Sequence, residues 1–418
     1  MLTNYLGQLV KQNEKYVDNI NLSEQRFVED LLRMAMTTDE KTKQVSLGER
    51  IPAHAKTVRE LSDKGAKVVV LAHQGRKGDY DFISLAPHAK MLEKEVGKPV
   101  KFVDDVCGEK AQQAIKALQP GEILLLENVR FMDDETKFKT AAEYANSTIV
   151  KNLAPLCDIF VLDAFSASHR AQASIVGFQM KPCIAGRVMQ HEMESVDKVK
   201  NPKKPCIFVL GGAKPSDSLP IMEYWLAQNK VDKVLTGGAL GSLFILASGK
   251  QLGNVTLDFL KKQGAVDMLP KAKEMLVKYQ GKIDFPNDVA VDDSGRRHEM
   301  PISSLPSPFP IADIGEQTAQ RYAKAILGAK TVVINGPMGI YEKDEFGRGT
   351  QMVLKAIEKS SAFSLLGGGH TLSAIDKFKI DKSKLGYMSL AGKALIAYLS
   401  GEKLAGVEML QKKKLLPF

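Results

Sequence analysis

An α/β fold in two domains is predicted for this chain by three features of its sequence. At 418 residues it is longer than one hydrophobic core usually organises. Short, β-branched apolar runs at Cys206–Leu210, Thr331–Ile334 and Phe363–Leu366 each run into a glycine loop, as buried strands that stop at a turn do. A further run, Lys67–Ala72, leads into His73-Gln74-Gly75-Arg76, which places polar groups at the carboxyl end of a strand, where α/β sites form.

Composition narrows the function classes. With 44% hydrophobic and 26% charged residues, the chain reads as a soluble globular protein. No apolar run is long enough to span a bilayer, and the N-terminus lacks the apolar core of a signal peptide. The four cysteines, Cys107, Cys157, Cys183 and Cys206, show neither CxxC spacing nor disulfide density, which points to a reducing cytoplasm. The net charge of +9 comes from dispersed lysines, with only Lys412–Lys414 forming a block and no interleaved aromatics. A nucleic-acid or membrane partner is therefore not expected, and an anionic substrate drawn to a basic cleft accounts for the charge.

The stretch Lys204–Ser218 is central. Its strand ends in Gly211-Gly212-Ala213-Lys214, so bare backbone N–H groups and one ammonium stand where a polyphosphate can lie. Taken alone it reads equally as an ordinary β–α turn with a solvated lysine. The run Gly367-Gly368-Gly369-His370-Thr371 repeats the form and precedes a helical pattern. That places Thr371 in a first turn, where free N–H groups and the helix dipole favour phosphate. Between them lies Asn335-Gly336-Pro337-Met338-Gly339. Three such elements suggest a nucleotide at the strand ends of an α/β sheet. A further turn at Gly237-Gly238 reads as structural on its own.

These motifs resemble the nucleotide half of phosphoglycerate kinase, and Leu124–Phe131 with Asp163–Ser174 resemble its other half. The likeness runs from about Arg50 to the C-terminus and is closest to the archaeal-type branch, in which His370 and Ser218 are not unusual. It implies two doubly wound parallel-sheet, Rossmann-like domains joined by a helix hinge and closing across a cleft. Residues 1–185 would form the acidic-substrate domain, 186–200 the connecting helix, 201–388 the nucleotide domain, and 389–418 a segment returning to the first domain. The helical pattern Met193–Val199, between Gly186 and Asn201-Pro202, fits the connector. The implied activity is reversible phosphoryl transfer between ATP and the carboxylate of 3-phosphoglycerate or a close analogue, giving an acyl phosphate in glycolysis or gluconeogenesis. ATP or ADP with Mg²⁺ would be the cofactor, and the protein a monomer or small homo-oligomer. A sister kinase for another phosphorylated carboxylate and a nucleotide-binding pseudoenzyme are the alternatives.

The resemblance also implies roles. His73, Arg76, Arg130 and Arg170 would grip the non-reacting phosphate, which suits the charge-assisted forks of arginine. Arg50 would lie near the carboxylate, and Arg33 and Thr37 at the hydroxyl and carboxyl end. Gly211, Gly212, Ala213, Lys214, Gly237 and Gly238 would meet the nucleotide. Asn335, Pro337 and Glu342 would line its base and ribose, and Gly367, Gly368, Gly369, His370 and Thr371 its phosphates. Lys214, Arg50, Gly368 and Gly392 would stabilise the transferring phosphoryl. No residue is assigned to the metal, because imidazole is a poor ligand for hard Mg²⁺ and phosphate oxygens with water suffice.

Two departures stand out. Asn4–Leu32 has helical spacing, with Leu22–Leu32 reading as an amphipathic helix capped at Ser23, whereas the family has its first strand near here, ending in Arg-Val-Asp-x-Asn. The register that keeps the distance to Arg50 puts Ala35 and Thr37 on the Asp and Asn. Losing such a hydrogen bond costs roughly 1–3 kcal/mol. The second departure is Met388–Leu395, where the family has three glycines and this chain keeps Gly392 between Ala391 and Lys393. Lys393 either supplies a charge that the family carries at Ser218 or is a solvated lysine at a helix start.

Overall fold

A computed structural model describes residues 48–411 and the backbone of Arg26–Asp30, Thr37–Thr38 and Val45–Ser46. The chain divides into two compact units, one running to Glu194 and resuming at Lys403, the other covering Ser195–Glu402.

The first unit is built on a six-stranded, all-parallel sheet with spatial order Val100–Phe102, Ile123–Leu125, Lys67–Leu71, Arg26–Asp30, Ile159–Leu162, Cys183–Ala185. Its strands are short and apolar because both faces are covered. Val68, Val70, Leu125 and Val161 pack with Ile51, Val58 and Leu61 of the helix Arg50–Asp63. Each such fully buried side chain stabilises the fold by roughly 1.5–3 kcal/mol.

The helix expected over Leu22–Leu32 is not what forms. Arg26–Asp30 is a strand at the middle of this sheet, with Arg26 opposite Lys67 and Asp30 opposite both Leu71 and Leu162. Helical spacing is a preference of tenths of a kcal/mol per residue. A slot between two strands satisfies the segment's backbone N–H and C=O groups on both sides, and that outweighs it. The strand that the family resemblance calls for is therefore present. Arg33 and Ala35 lie outside the described residues, and Thr37 opens a two-residue antiparallel pairing with Val45–Ser46.

The second unit carries another six-stranded parallel sheet, in the order Ile283–Asp284, Lys233–Thr236, Cys206–Leu210, Thr331–Asn335, Phe363–Gly367, Tyr387–Met388. Numbered along the chain within this sheet, that is the order 3-2-1-4-5-6. The order reverses between Cys206–Leu210 and Thr331–Asn335, and a doubly wound sheet binds ligands at that point, outside the carboxyl ends of its strands. The loops Gly211-Gly212 and Gly336-Pro337 leave from there. A three-stranded antiparallel sheet of Asp288–Asp293, Arg296–Pro301 and Ile311–Ile314 lies in the same unit.

The helix Arg187–Lys200 contains the division between the units. Its N-terminal end is fastened by the fully buried Asp163, which accepts from Met189 N (3.0 Å) and Thr57 Oγ1 (2.7 Å) and lies 3.0 Å from His54 Nδ1. Arg187 adds a pair of hydrogen bonds to Glu60 at 2.7 and 2.8 Å. The C-terminal stretch splits where the sequence suggested one return to the first domain. Helix Lys393–Leu399 packs on helix Pro215–Ala227 in the second unit, where Trp225 Nε1 donates to Leu399 O (2.5 Å). Among the described residues, Ala405–Gln411 packs on the first unit, Gly406 N donating to Ser168 O (2.9 Å).

Candidate functional site: two cavities of unlike chemistry

In the first unit a cavity of about 440 Å³ is lined by Arg76, Lys77, Arg130, Asp133, Arg170 and Gln172 with Met132 and Thr136. Three of the four predicted phosphate-gripping residues meet here. Arg76 is exposed, on the loop after the strand Lys67–Leu71. Arg130 sits on the single helical turn Val129–Phe131, and its Nη1 donates to Gly75 O, so the two loops hold one another. The buried Asn128 reinforces this by donating to Gln74 O (2.8 Å) and Ile83 O (3.0 Å). Arg170 Nε donates to His169 Nε2 (3.1 Å).

His73 departs from the expectation. It is fully buried at the end of its strand and does not line the cavity. Arg50 opens the helix Arg50–Asp63 and lines neither cavity. Sequence reasoning overlooked Lys77, whose Nζ lies 3.2 Å from Asp133 Oδ1, and Gln172. Both flank residues that had been singled out, so proximity along the chain was the available signal.

In the second unit the loops at the switch point are locked together through backbone. Gly211 N donates to Asn335 O (3.0 Å), Gly212 N to Pro337 O (2.8 Å), Gly238 N to Met338 O (2.8 Å) and Ala239 N to Gly212 O (2.9 Å). A Cβ on Gly211 would fall 2.1 Å from Pro337 O, so only glycine permits this approach. Gly237 and Gly238 are similarly crowded by Met338 and Gly212. Lys214 is the exposed N-cap of helix Pro215–Ala227. Gly368, at φ +89, turns the chain into helix Gly369–Lys377, whose first N–H groups are free of intrahelical partners. Thr371 is in that first turn as expected, but it is buried and its Oγ1 accepts from Gly336 N (2.9 Å), bracing a neighbouring loop.

Beside these loops is a cavity of about 400 Å³. Gly212, Ala213, Gly238, Pro337, Glu342 and His370 line it, whereas Gly211, Lys214, Gly237, Asn335, Gly367, Gly368, Gly369 and Thr371 do not. Its walls are mainly apolar, from Ile245, Val255, Phe259, Val289, Ile311 and Met338. Most of these come from distant elements without a motif, which is why sequence reasoning missed them. His370 lies at the mouth, its Nδ1 3.3 Å from the Tyr341 hydroxyl and 3.5 Å from Glu342 Oε1. Asp313 places a further charged side chain in the apolar wall. It pairs with Arg297 (2.9 Å) and accepts from Gly349 N (2.8 Å), and burial pushes its carboxyl up to about 6.

The stretch Met388–Leu395 differs from these glycine loops. Gly392, at φ +55, starts helix Lys393–Leu399, while Ala391 is buried and is not among the residues with positive φ. Lys393 is exposed at the first helical position.

A family model, phosphoglycerate kinase, matches residues 17–402. The chain belongs to the phosphoglycerate kinase family. It is 43% identical over 385 residues to the phosphoglycerate kinase of Methanosarcina mazei, covering 91% of this chain and 92% of that one. To the enzyme of Methanothermobacter thermautotrophicus it is 41% identical, over 87% and 89% of the two chains. The crystal structure of phosphoglycerate kinase from Pyrococcus horikoshii OT3 superposes with a TM-score of 0.86 at 36% identity, over 94% of this chain and 98% of that one. The structure of phosphoglycerate kinase from Coxiella burnetii gives 0.79 at 32% identity, over the same shares. Among the described residues no helix is long and apolar enough to cross a membrane.

Proposed function

We propose that this protein transfers a phosphoryl group reversibly between ATP and the carboxylate of 3-phosphoglycerate, forming an acyl phosphate. The observation that carries this reading is the pair of cavities at the carboxyl ends of two parallel sheets, one cationic and one apolar beside glycine loops. Arg76, Arg130 and Arg170 hold the non-reacting phosphate of the acid, and His73 supports their loop from behind. Arg33, Thr37 and Arg50 serve the carboxyl end. The base of ATP or ADP enters the apolar cavity against Gly212, Ala213, Gly238 and Pro337, with Glu342 at the ribose. Gly211, Gly237, Asn335 and Gly367 keep the loops in register.

A carboxylate nucleophile is already ionised, so no general base is needed and catalysis is positioning and charge neutralisation. Lys214, Arg50, Gly392 and the N–H groups from Gly368 to Thr371 stabilise the phosphoryl group in flight. Mg²⁺ would further neutralise the triphosphate. Among the described residues no three His, Cys, Asp or Glu side chains converge to hold an ion. In this reading phosphate oxygens and water, which suit a hard cation, would hold it.

The test is a coupled assay of ATP consumption with 3-phosphoglycerate, run beside a panel of phosphorylated acids. Calorimetry with ADP and Mg²⁺ accompanies it. No binding at millimolar nucleotide would end the kinase reading.

A further inference from the structure

Besides the loop with Arg76 and Lys77, two walls of the cationic cavity come from separate parts of the chain. One carries Arg130, Met132, Asp133 and Thr136, the other Arg170 and Gln172. Immediately after the second wall, helix Ala173–Val176 begins, and its N-cap Gln172 makes no side-chain cap. The first turn of a helix has N–H groups without intrahelical partners. Here the opposite wall supplies one. Glu135 Oε2 accepts from Ser174 N (3.0 Å) and its Oε1 from Ser174 Oγ (2.6 Å). Glu135 is fully buried. The two acidic residues before it also have partners: Asp134 Oδ2 accepts from Thr148 N (2.5 Å), at the start of helix Thr148–Leu153, and Asp133 makes an exposed ion pair with Lys77. Asp134 and Glu135 thus fasten this segment to the starts of two helices.

We propose that Glu135 is a positioning residue, bridging to Ser174 so that the Arg130 wall and the Arg170 wall are held at the spacing a phosphate requires. The proposal rests on the phosphoryl-transfer reading for its substrate. The groups whose charge acts on Glu135 are Arg130 and Asp134, and the Tyr144 hydroxyl faces it from the helix Ala141–Tyr144. Burial pushes the Glu135 carboxyl up to about 8, against the pull of Ser174 and Arg130. At neutral pH the bridge is therefore an uncharged acid, and the positive charge of the cavity is not cancelled. Above about pH 8 a carboxylate appears beside Arg130 and opposes an anionic substrate.

The experiment measures KM and kcat for 3-phosphoglycerate, and the Kd of ADP, in the wild type and in E135Q, E135A and S174A. E135A and S174A are expected to raise KM about tenfold, while kcat and ADP affinity move less than about twofold. E135Q, which keeps shape and neutrality, is expected to restore KM at pH 7 and to flatten the rise in KM that the wild type shows above pH 8. The proposal is overturned if folded E135A and S174A keep the wild-type KM, or if ADP affinity falls in step. Should E135A fail to fold, S174A and the pH profile of E135Q decide. A wild type that does not turn over 3-phosphoglycerate defeats the phosphoryl-transfer reading instead, and the bridge is then judged by calorimetric binding of inorganic phosphate to the same variants.

Discussion

The two cavities solve recognition by opposite means. In the first unit the cavity is read by side chains: three arginines and a lysine project into it, and buried polar residues such as Asn128 and Glu135 hold the loops that carry them. In the second unit the elements at the strand ends are backbone, the glycine turns and helix N-termini, and the cavity beside them is walled by apolar side chains. Charge-assisted forks give strength and geometry with few residues, but each depends on one side chain. A backbone cradle tolerates side-chain change and is sensitive to anything that separates its loops. Lys214 is the exception that tests the contrast, since it puts a single ammonium at the edge of the backbone half.

That exception carries the largest expected effect. Lys214→Ala should lower kcat by about 10²–10³-fold, the usual consequence of removing one donor to developing charge. ADP affinity should change far less, because the charge matters most as the phosphoryl detaches. Equal losses in kcat and in calorimetric ADP affinity would assign Lys214 to ground-state binding.

Next in size are Arg130→Ala and Arg170→Ala. Each should raise KM for 3-phosphoglycerate about 10- to 100-fold, matching about 1.5–3 kcal/mol for a charge-assisted hydrogen bond, and leave nucleotide affinity alone. If nucleotide binding weakens as well, the halves have been assigned wrongly.

Gly211→Ala probes the backbone half. Its Cβ would meet Pro337 O at 2.1 Å and Met338 Cε at 2.7 Å, so the interlocked loops must part. Overpacking of this kind costs about 1–3 kcal/mol. Thermal unfolding should shift down and ADP should bind about 5- to 100-fold more weakly, whereas KM for the phosphorylated acid should hold. A variant that binds ADP normally would show that the loops yield without consequence.

The same contrast explains what was legible in the sequence. Gly211-Gly212, Asn335–Gly339 and Gly367–Gly369 were readable because runs of glycine after an apolar strand announce a tight loop locally. Arg76, Arg130 and Arg170 were readable as charged residues following strands. The apolar wall of Val255, Phe259 and Ile311 was not, because those residues look like any core side chains until folding brings them to one cavity. Arg26–Asp30 misled for a related reason: strand partners, absent from the local pattern, decide its conformation. Glu135 was invisible because nothing in an Asp-Asp-Glu run announces that its last member is buried.

The smallest expected effect concerns the far end of the acidic substrate. The register of the sequence sets Ala35 and Thr37 where the family resemblance calls for Asp and Asn, so on the proposed reading the first unit combines a three-arginine cavity for the phosphate with little to hold a 2-hydroxyl. A site built to bond a hydroxyl rejects the analogue lacking it by orders of magnitude, since its own polar groups are left unpaired. Here few groups would be stranded, and a phosphorylated acid without the hydroxyl should be used about as well as 3-phosphoglycerate. Restoring the pair with Ala35→Asp and Thr37→Asn should improve kcat/KM for 3-phosphoglycerate about tenfold, or roughly 1.4 kcal/mol, and leave the analogue unchanged. The comparison of the two substrates on the two proteins separates this from a general change in the unit. If the wild type already prefers 3-phosphoglycerate strongly and the double substitution harms it, other residues hold the hydroxyl. The side-chain reading of the first unit would then extend over the whole substrate rather than its phosphate alone.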